Sequence, residues 1–204
     1  MKKALNWLYE NWMKATPFLA IYVTIILLLY VKEYDFALFL IRLQTPIYWA
    51  HEFEEYVCPG GFLDFFNRNP MRSKLWDYPL TKIWSFWINI PLVYIAMPIA
   101  WLMAHFISPV RWLWAAYFSF LNAFSHVVFF FIYKFKYNPG LVVSILLNIP
   151  FAIYTVYYFV SNWLTTVESN IIRIIVWIIA QASMMVYGFW YLVPKLKKEG
   201  LRRD

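Results

Sequence analysis

This sequence predicts an all-α fold, a polytopic transmembrane helical bundle of about six spans. Three observations predict it. The 204 residues are 63% hydrophobic, 23% aromatic and 14% charged, against about 45–50% apolar and about 25% charged in a soluble domain. Several apolar runs approach the roughly 20 residues that cross a bilayer. The runs are continuous rather than alternating, which removes the β-barrel pattern and leaves helices as the elements that satisfy their own backbone in lipid.

The spans fall near 15–31, 35–57, 82–105, 110–134, 140–161 and 169–193, and the chain reads as one transmembrane domain, 1–204. Met1-Lys2-Lys3 has the charge of a signal-peptide start, but no small-residue cleavage site follows Ala15–Val31, so that run is expected to stay as the first span. The second span ends in His51-Glu52-Phe53-Glu54-Glu55. Pro46, Pro91, Pro98 and Pro150 lie inside spans, where each removes a backbone donor and is expected to kink its helix. The longest polar connection, Cys58–Thr81, carries the turn residues Pro59-Gly60-Gly61 and Asn69-Pro70. Between them Phe62-Leu63-Asp64-Phe65-Phe66 has the pattern of a short amphipathic helix lying along the interface. There is no internal repeat and no low-complexity segment.

Charge sets the orientation. With six spans, both termini share a side with the second and fourth connections. That side collects fourteen of the 18 lysines and arginines, and the opposite connections hold only Lys32 and Arg111. Both termini are therefore expected in the cytoplasm, in a protein of the cell membrane. Trp7, Trp12, Trp76, Trp84, Trp112, Trp163 and Trp190 fall near span ends, as an aromatic belt does. The net charge of +7 is explained by this asymmetry, so nucleic acid is not an expected partner; membrane lipids are. The single Cys58 excludes an internal disulfide and a cysteine-built zinc site.

His51–Glu55 concentrates one of three histidines and three of eleven acidic residues in five positions at the end of an apolar stretch. Such groups are costly to desolvate, and they point to a site. Residues three and four apart share a helix face, so His51, Glu54 and Glu55 are expected to point one way and Glu52 another, with Gln44 and Tyr48 extending the face. The fourth span carries a second polar stripe, Ser119, Asn122 and His126, with Tyr133 a heptad further on. His126 lies eight residues before Lys134, about 12 Å below that helix end at about 1.5 Å per residue. Tyr137-Asn138-Pro139-Gly140 follows as a turn. Three segments thus converge in the cytoplasmic half of the bundle.

In these motifs the chain resembles the family of integral membrane proteins named for an HxxEE motif. His51, Glu54 and Glu55 match HxxEE, Asn122 and His126 match NxxxH, and Tyr137, Pro139 and Gly140 match YxPG. The resemblance covers about 36–145. It implies an active site, with metal dependence among the suggestions, and supplies no reaction.

Two imidazoles with one or two carboxylates form a ligand set for a divalent metal such as zinc. A catalytic zinc takes three protein ligands and keeps a position open. His51, His126 and either Glu54 or Glu55 supply three, and the remaining glutamate is then a general base toward water. Asn122 would orient a carbonyl, and Tyr137 would donate a proton or stabilise an oxyanion. The expected function is a membrane-embedded, metal-dependent hydrolase acting on an ester or amide of a lipid-like substrate at the cytoplasmic leaflet. The same residues without metal offer an acid and a base for lipid isomerisation. A non-enzymatic alternative is a lipid-binding or proton-coupled transport protein. Asn89, Asn148 and Gln181 read as interhelical hydrogen-bonding groups. Arg42, inside the second span, needs a partner or a route to the interface.

Overall fold

The computed structural model describes residues 2–203, and over these the chain is helical without a β-sheet. Among the described residues, five helical runs are long and apolar enough to cross a membrane: Lys2–Tyr30, Lys82–Phe106, Pro109–Ile132, Leu141–Ser161 and Val167–Lys198. They mark a multi-pass membrane protein. A further long helix, α3 (Phe36–Tyr56), is not among the five, because Arg42, Gln44 and the His51–Glu55 cluster dilute its apolar content.

The order begins with α1 (Lys2–Asn11), a 3₁₀ turn, and α2 (Thr16–Tyr30), which opens with Pro17 in its first turn, where the missing N–H costs no bond. Asp35 starts α3 by accepting from the Leu38 amide at 2.8 Å. The helix α4 (Phe62–Arg68) follows Gly60 and Gly61, both at positive φ, and is the short aromatic helix expected in the polar connection. Then come α5 (Lys82–Asn89) and α6 (Met97–Phe106), joined through a π-helical stretch, Ile90–Ala96, that contains Pro91. α7 (Trp114–Ile132), α8 (Leu141–Val143) and α9 (Ile149–Ser161) follow, the last two joined through a π turn over Ser144–Asn148 just before Pro150. Pro91 and Pro150 thus disturb the regular ladder by local widening, one of the ways a helix absorbs a lost donor. α10 (Val167–Tyr187) continues through Gly188–Leu192 into α11 (Val193–Lys198).

α3 is the axis of the bundle. Fifteen of its 21 residues are buried, and α2, α6, α7 and α9 pack around it. The outer helices behave oppositely: Ile171, Ile172, Ile175, Ile178 and Ile179 on α10 are exposed, as lipid-facing residues are. The buried polar groups tie α3 and its neighbours together. Gln44 donates to Thr155 Oγ1 at 3.0 Å, and Asn148 donates to Ser119 Oγ at 3.0 Å. These bonds place Asn148 in the interhelical role expected of it. The Arg42 guanidinium lies over the Trp101 ring at 5.3 Å, a cation–π partner for the one arginine inside this helix.

The connection between α4 and α5 is pinned from two sides. Asn67, fully buried, donates to the Trp76 and Leu80 carbonyls and accepts from the Leu80 amide, at 2.8–2.9 Å. Residues 200–203 run antiparallel to it: the Lys74 amide donates to Leu201 O at 2.8 Å and the Arg203 amide to Arg72 O at 2.7 Å. Replacing Asn67 with Ala would strand three backbone groups. Asn67→Ala is expected to destabilise the protein by about 1–3 kcal/mol, lowering its Tm in detergent by about 2–10 °C; an unchanged melting curve would show that the pin carries no load.

Candidate metal centre

Three buried side chains meet at one point in the bundle. His51 and Glu55 lie one helical turn apart on α3, and His126 comes from α7. Glu55 Oε1 is 3.4 Å from His51 Nε2 and 3.1 Å from His126 Nε2, and one donor atom from each residue lies within 4.8 Å of the other two. The imidazole rings meet edge to face with centroids 4.8 Å apart. All three residues are at most 5% exposed.

The surrounding hydrogen bonds fix where the imidazole protons are. Asn138 Nδ2 donates to the His126 carbonyl at 3.0 Å, so its amide oxygen faces the ring and accepts from His126 Nδ1–H at 2.7 Å. That leaves Nε2 facing Glu55. His51 is held differently: Asn122 Nδ2 donates to its Nε2 at 3.2 Å, and Nδ1 lies 3.4 Å from Ser144 Oγ. Two imidazole nitrogens and a carboxylate oxygen therefore share one buried point, an arrangement that a proton or a metal ion between them would satisfy. At metal–ligand distances of about 2.0–2.2 Å, ligands on a tetrahedral zinc are about 3.4 Å apart. The two contacts to Glu55 Oε1 are close to that edge and the three donor atoms lie within 4.8 Å of one another, so the residues could hold a divalent metal. Asn138 and Ser144 then act as the outer partners that set tautomer and ring orientation.

Glu54 does not share this point. Successive residues on a helix are turned by about 100°, which leaves Glu55 within about 40° of His51 and puts Glu54 about 60° off on the other side. Its Oε1 accepts from Tyr137 Oη at 2.8 Å and Val142 N at 3.0 Å, and its Oε2 from Val143 N at 2.7 Å. The carboxylate thus caps the start of the helical run at Leu141 and has no lone pair directed at the imidazoles. Of the two glutamates that the spacing offers as third ligand, the geometry selects Glu55. Tyr137 is committed to the same cap. Burial and the bond to Glu54 hold its phenol above the ordinary range, which keeps it a donor at neutral pH. Glu52 is turned elsewhere and is fully buried, with neither oxygen bonded to the protein among the described residues.

The turn after α7 is built around the centre. Gly140 has φ +99°, and a Cβ there would stand 2.6 Å from His126 Cε1, 2.8 Å from His51 Cε1 and 3.0 Å from Glu55 Cγ. Only a glycine lets the backbone close over the three ligands. The spacing of His51, Glu55, Asn122 and His126 identifies residues that the fold brings together. Sequence reasoning missed Asn138 and Ser144. Asn-Pro-Gly reads as a plain turn, and Ser144 sits in an apolar run; the available signal was a polar residue immediately flanking each side of the Pro-Gly and Leu-Val-Val stretch.

Two substitutions test this reading of the shell. Asn138→Ala is expected to weaken Zn²⁺ affinity by about 10–100-fold in a titration against a competing chelator, the usual effect of losing an outer partner of a metal-bound histidine. Gly140→Ala is expected to weaken it at least as much, since the rings it would strike are the ligands. Unchanged affinity in both variants would show that the rings are not held by these groups.

The profile of a protein family described as "protein of unknown function with HXXEE motif" matches residues 43–155. No curated protein and no solved structure matches the chain. The matched segment contains all three residues of the centre, the Glu54 cap, Asn138 and Gly140, and it spans more than half of the 204 residues. By that match the chain belongs to the HXXEE family.

Proposed function

We propose that this protein is a metal-dependent hydrolase embedded in the cell membrane, acting on an ester or amide of a lipid-like substrate at the cytoplasmic leaflet. One observation carries the reading: buried donor atoms of His51, Glu55 and His126 lie within 4.8 Å of one another, and Glu55 and Asn122 also line a largely apolar cavity. A divalent metal such as zinc, held by these three residues, would supply a water activated at neutral pH. Glu55 Oε2 accepts from no protein donor among the described residues. It is the group placed to take the proton of the attacking water and return it to the leaving oxygen or nitrogen. Asn122, whose amide would be released from His51 Nε2 by a metal bound there, would orient the scissile carbonyl. Tyr137 serves the loop through Glu54 rather than the reacting atoms.

The orientation belongs to the same proposal: one transmembrane domain over 1–204, both termini in the cytoplasm, and the centre opening toward the inner leaflet. Fourteen basic residues against two support it.

Metal content of the purified protein tests the first part. About one Zn²⁺ per chain is expected, lost in His126→Ala and Glu55→Gln and retained in Glu54→Gln, whose cost falls on thermal stability instead. A metal-free protein that folds and binds lipid would move the same residues to acid–base isomerisation, and charging of vesicles under a substrate gradient would move them to transport. The orientation has its own probe. Cys58 is the only cysteine and is exposed, so a membrane-impermeant maleimide should label it from the cytoplasmic side alone; labelling of intact cells from outside would reverse the topology.

A further inference from the structure

A cavity of about 210 Å³ adjoins the centre, bounded by α3, α4, α5, α7, α10 and the π-helical segment Gly188–Leu192. Glu55 and Asn122 form one part of its lining. A second polar group lies in the same lining, contributed by α3 and α5: Asn89 Nδ2 faces Tyr56 Oη at 3.3 Å and Ser85 Oγ at 3.5 Å. The Asn89 carbonyl oxygen has no protein donor among the described residues, although the residue is only 8% exposed. Gln181 and Tyr48 add uncharged polar groups, the rest of the lining is apolar, and it includes no lysine or arginine. Ile88 and Phe189, from α5 and the Gly188–Leu192 segment, line the cavity and are also among the exposed apolar residues. The chamber therefore has a side mouth toward the lipid between those two elements. Gly188 lines it too, and a Cβ added there would meet nothing within 4 Å.

From these features we infer that the chamber takes a neutral, single-chain lipid carrying a hydroxyl near its scissile carbonyl, a monoacylglycerol-like molecule. This rests on the hydrolase reading of the centre and names its substrate class. The volume sets the chain number: at about 30 Å³ per water-sized group there is room for roughly seven, which holds the reacting end of one chain and not two. The remainder of the chain leaves through the side mouth into the bilayer. The lining sets the charge: a phosphate would find Glu55 and no cation, and would be buried unpaired. The free Asn89 acceptor sets the hydroxyl, since an apolar chain filling the cavity would desolvate this carbonyl and a substrate hydroxyl supplies it a donor. Asn89 is thus a specificity residue and Gly188 the residue that keeps the chamber open.

Equilibrium binding of radiolabelled monoolein to the metal-free protein in detergent tests this, with three unlabelled competitors, and conversion is followed separately after zinc is added. Monoolein is expected to bind at least tenfold more tightly than dioleoylglycerol, oleoyl lysophosphatidate or methyl oleate, which change chain number, charge and hydroxyl in turn. Gly188→Leu is expected to lower monoolein binding at least tenfold with metal content unchanged. Asn89→Leu is expected to abolish the preference over methyl oleate while keeping binding of the chain. Equal binding of dioleoylglycerol, tighter binding of lysophosphatidate, or unaltered binding in Gly188→Leu would each overturn the inference. Monoolein bound with this selectivity but never converted to oleate and glycerol would instead overturn the hydrolase reading and leave the chamber standing.

Discussion

The interior of this bundle is organised by an electrostatic constraint: two imidazoles and a carboxylate are held face to face at one buried point. Left to itself each ring could turn over and present its other nitrogen to Glu55. The Asn138 amide prevents this for His126, because its nitrogen is used by the backbone carbonyl and only its oxygen is left for the ring. Asn122 and Ser144 hold the two sides of His51. A proton or a bound cation would offset the cost of burying this carboxylate, and rings fixed in this way are what a preorganised ligand set requires.

The rest of the fold can be read as support for that set. α3 is the most buried helix although it is among the most polar, so its charged end is held by packing along its whole length. Glu54 draws the start of the next helical run onto α3, and that contact delivers Gly140 to the imidazole rings and Ser144 to His51. The two glutamates of the motif thus have different tasks set by a 100° turn of the helix, one toward the imidazoles and one toward the backbone.

Much of this was legible in the sequence. Long apolar runs dictate helices, and the i, i+4 spacing of His51 and Glu55 puts them on one face whatever surrounds them. The meeting with His126 follows from two helices that end on the same side. What a spacing rule does not resolve is the difference between i+3 and i+4, which is why Glu54 and Glu55 look equivalent until the loop that captures Glu54 is in place. Asn138 was hidden for a related reason: its side chain matters through two simultaneous bonds to one residue twelve positions earlier, and local turn chemistry explains an asparagine before Pro-Gly without them. α3 shows the limit of hydropathy in the other direction, since a helix wrapped by protein on all sides can carry Arg42, Gln44 and three glutamates that a lipid-facing helix could not.

The pairing of residues 72–74 with 200–203 closes a loop of about two thirds of the chain. During synthesis the His51–Glu55–His126 cluster can assemble once α7 has been made, whereas the wall formed by Pro70 and Met71 has to wait for residues 200–203. A chain made only as far as α10 would thus carry the cluster with one side of the chamber unfastened.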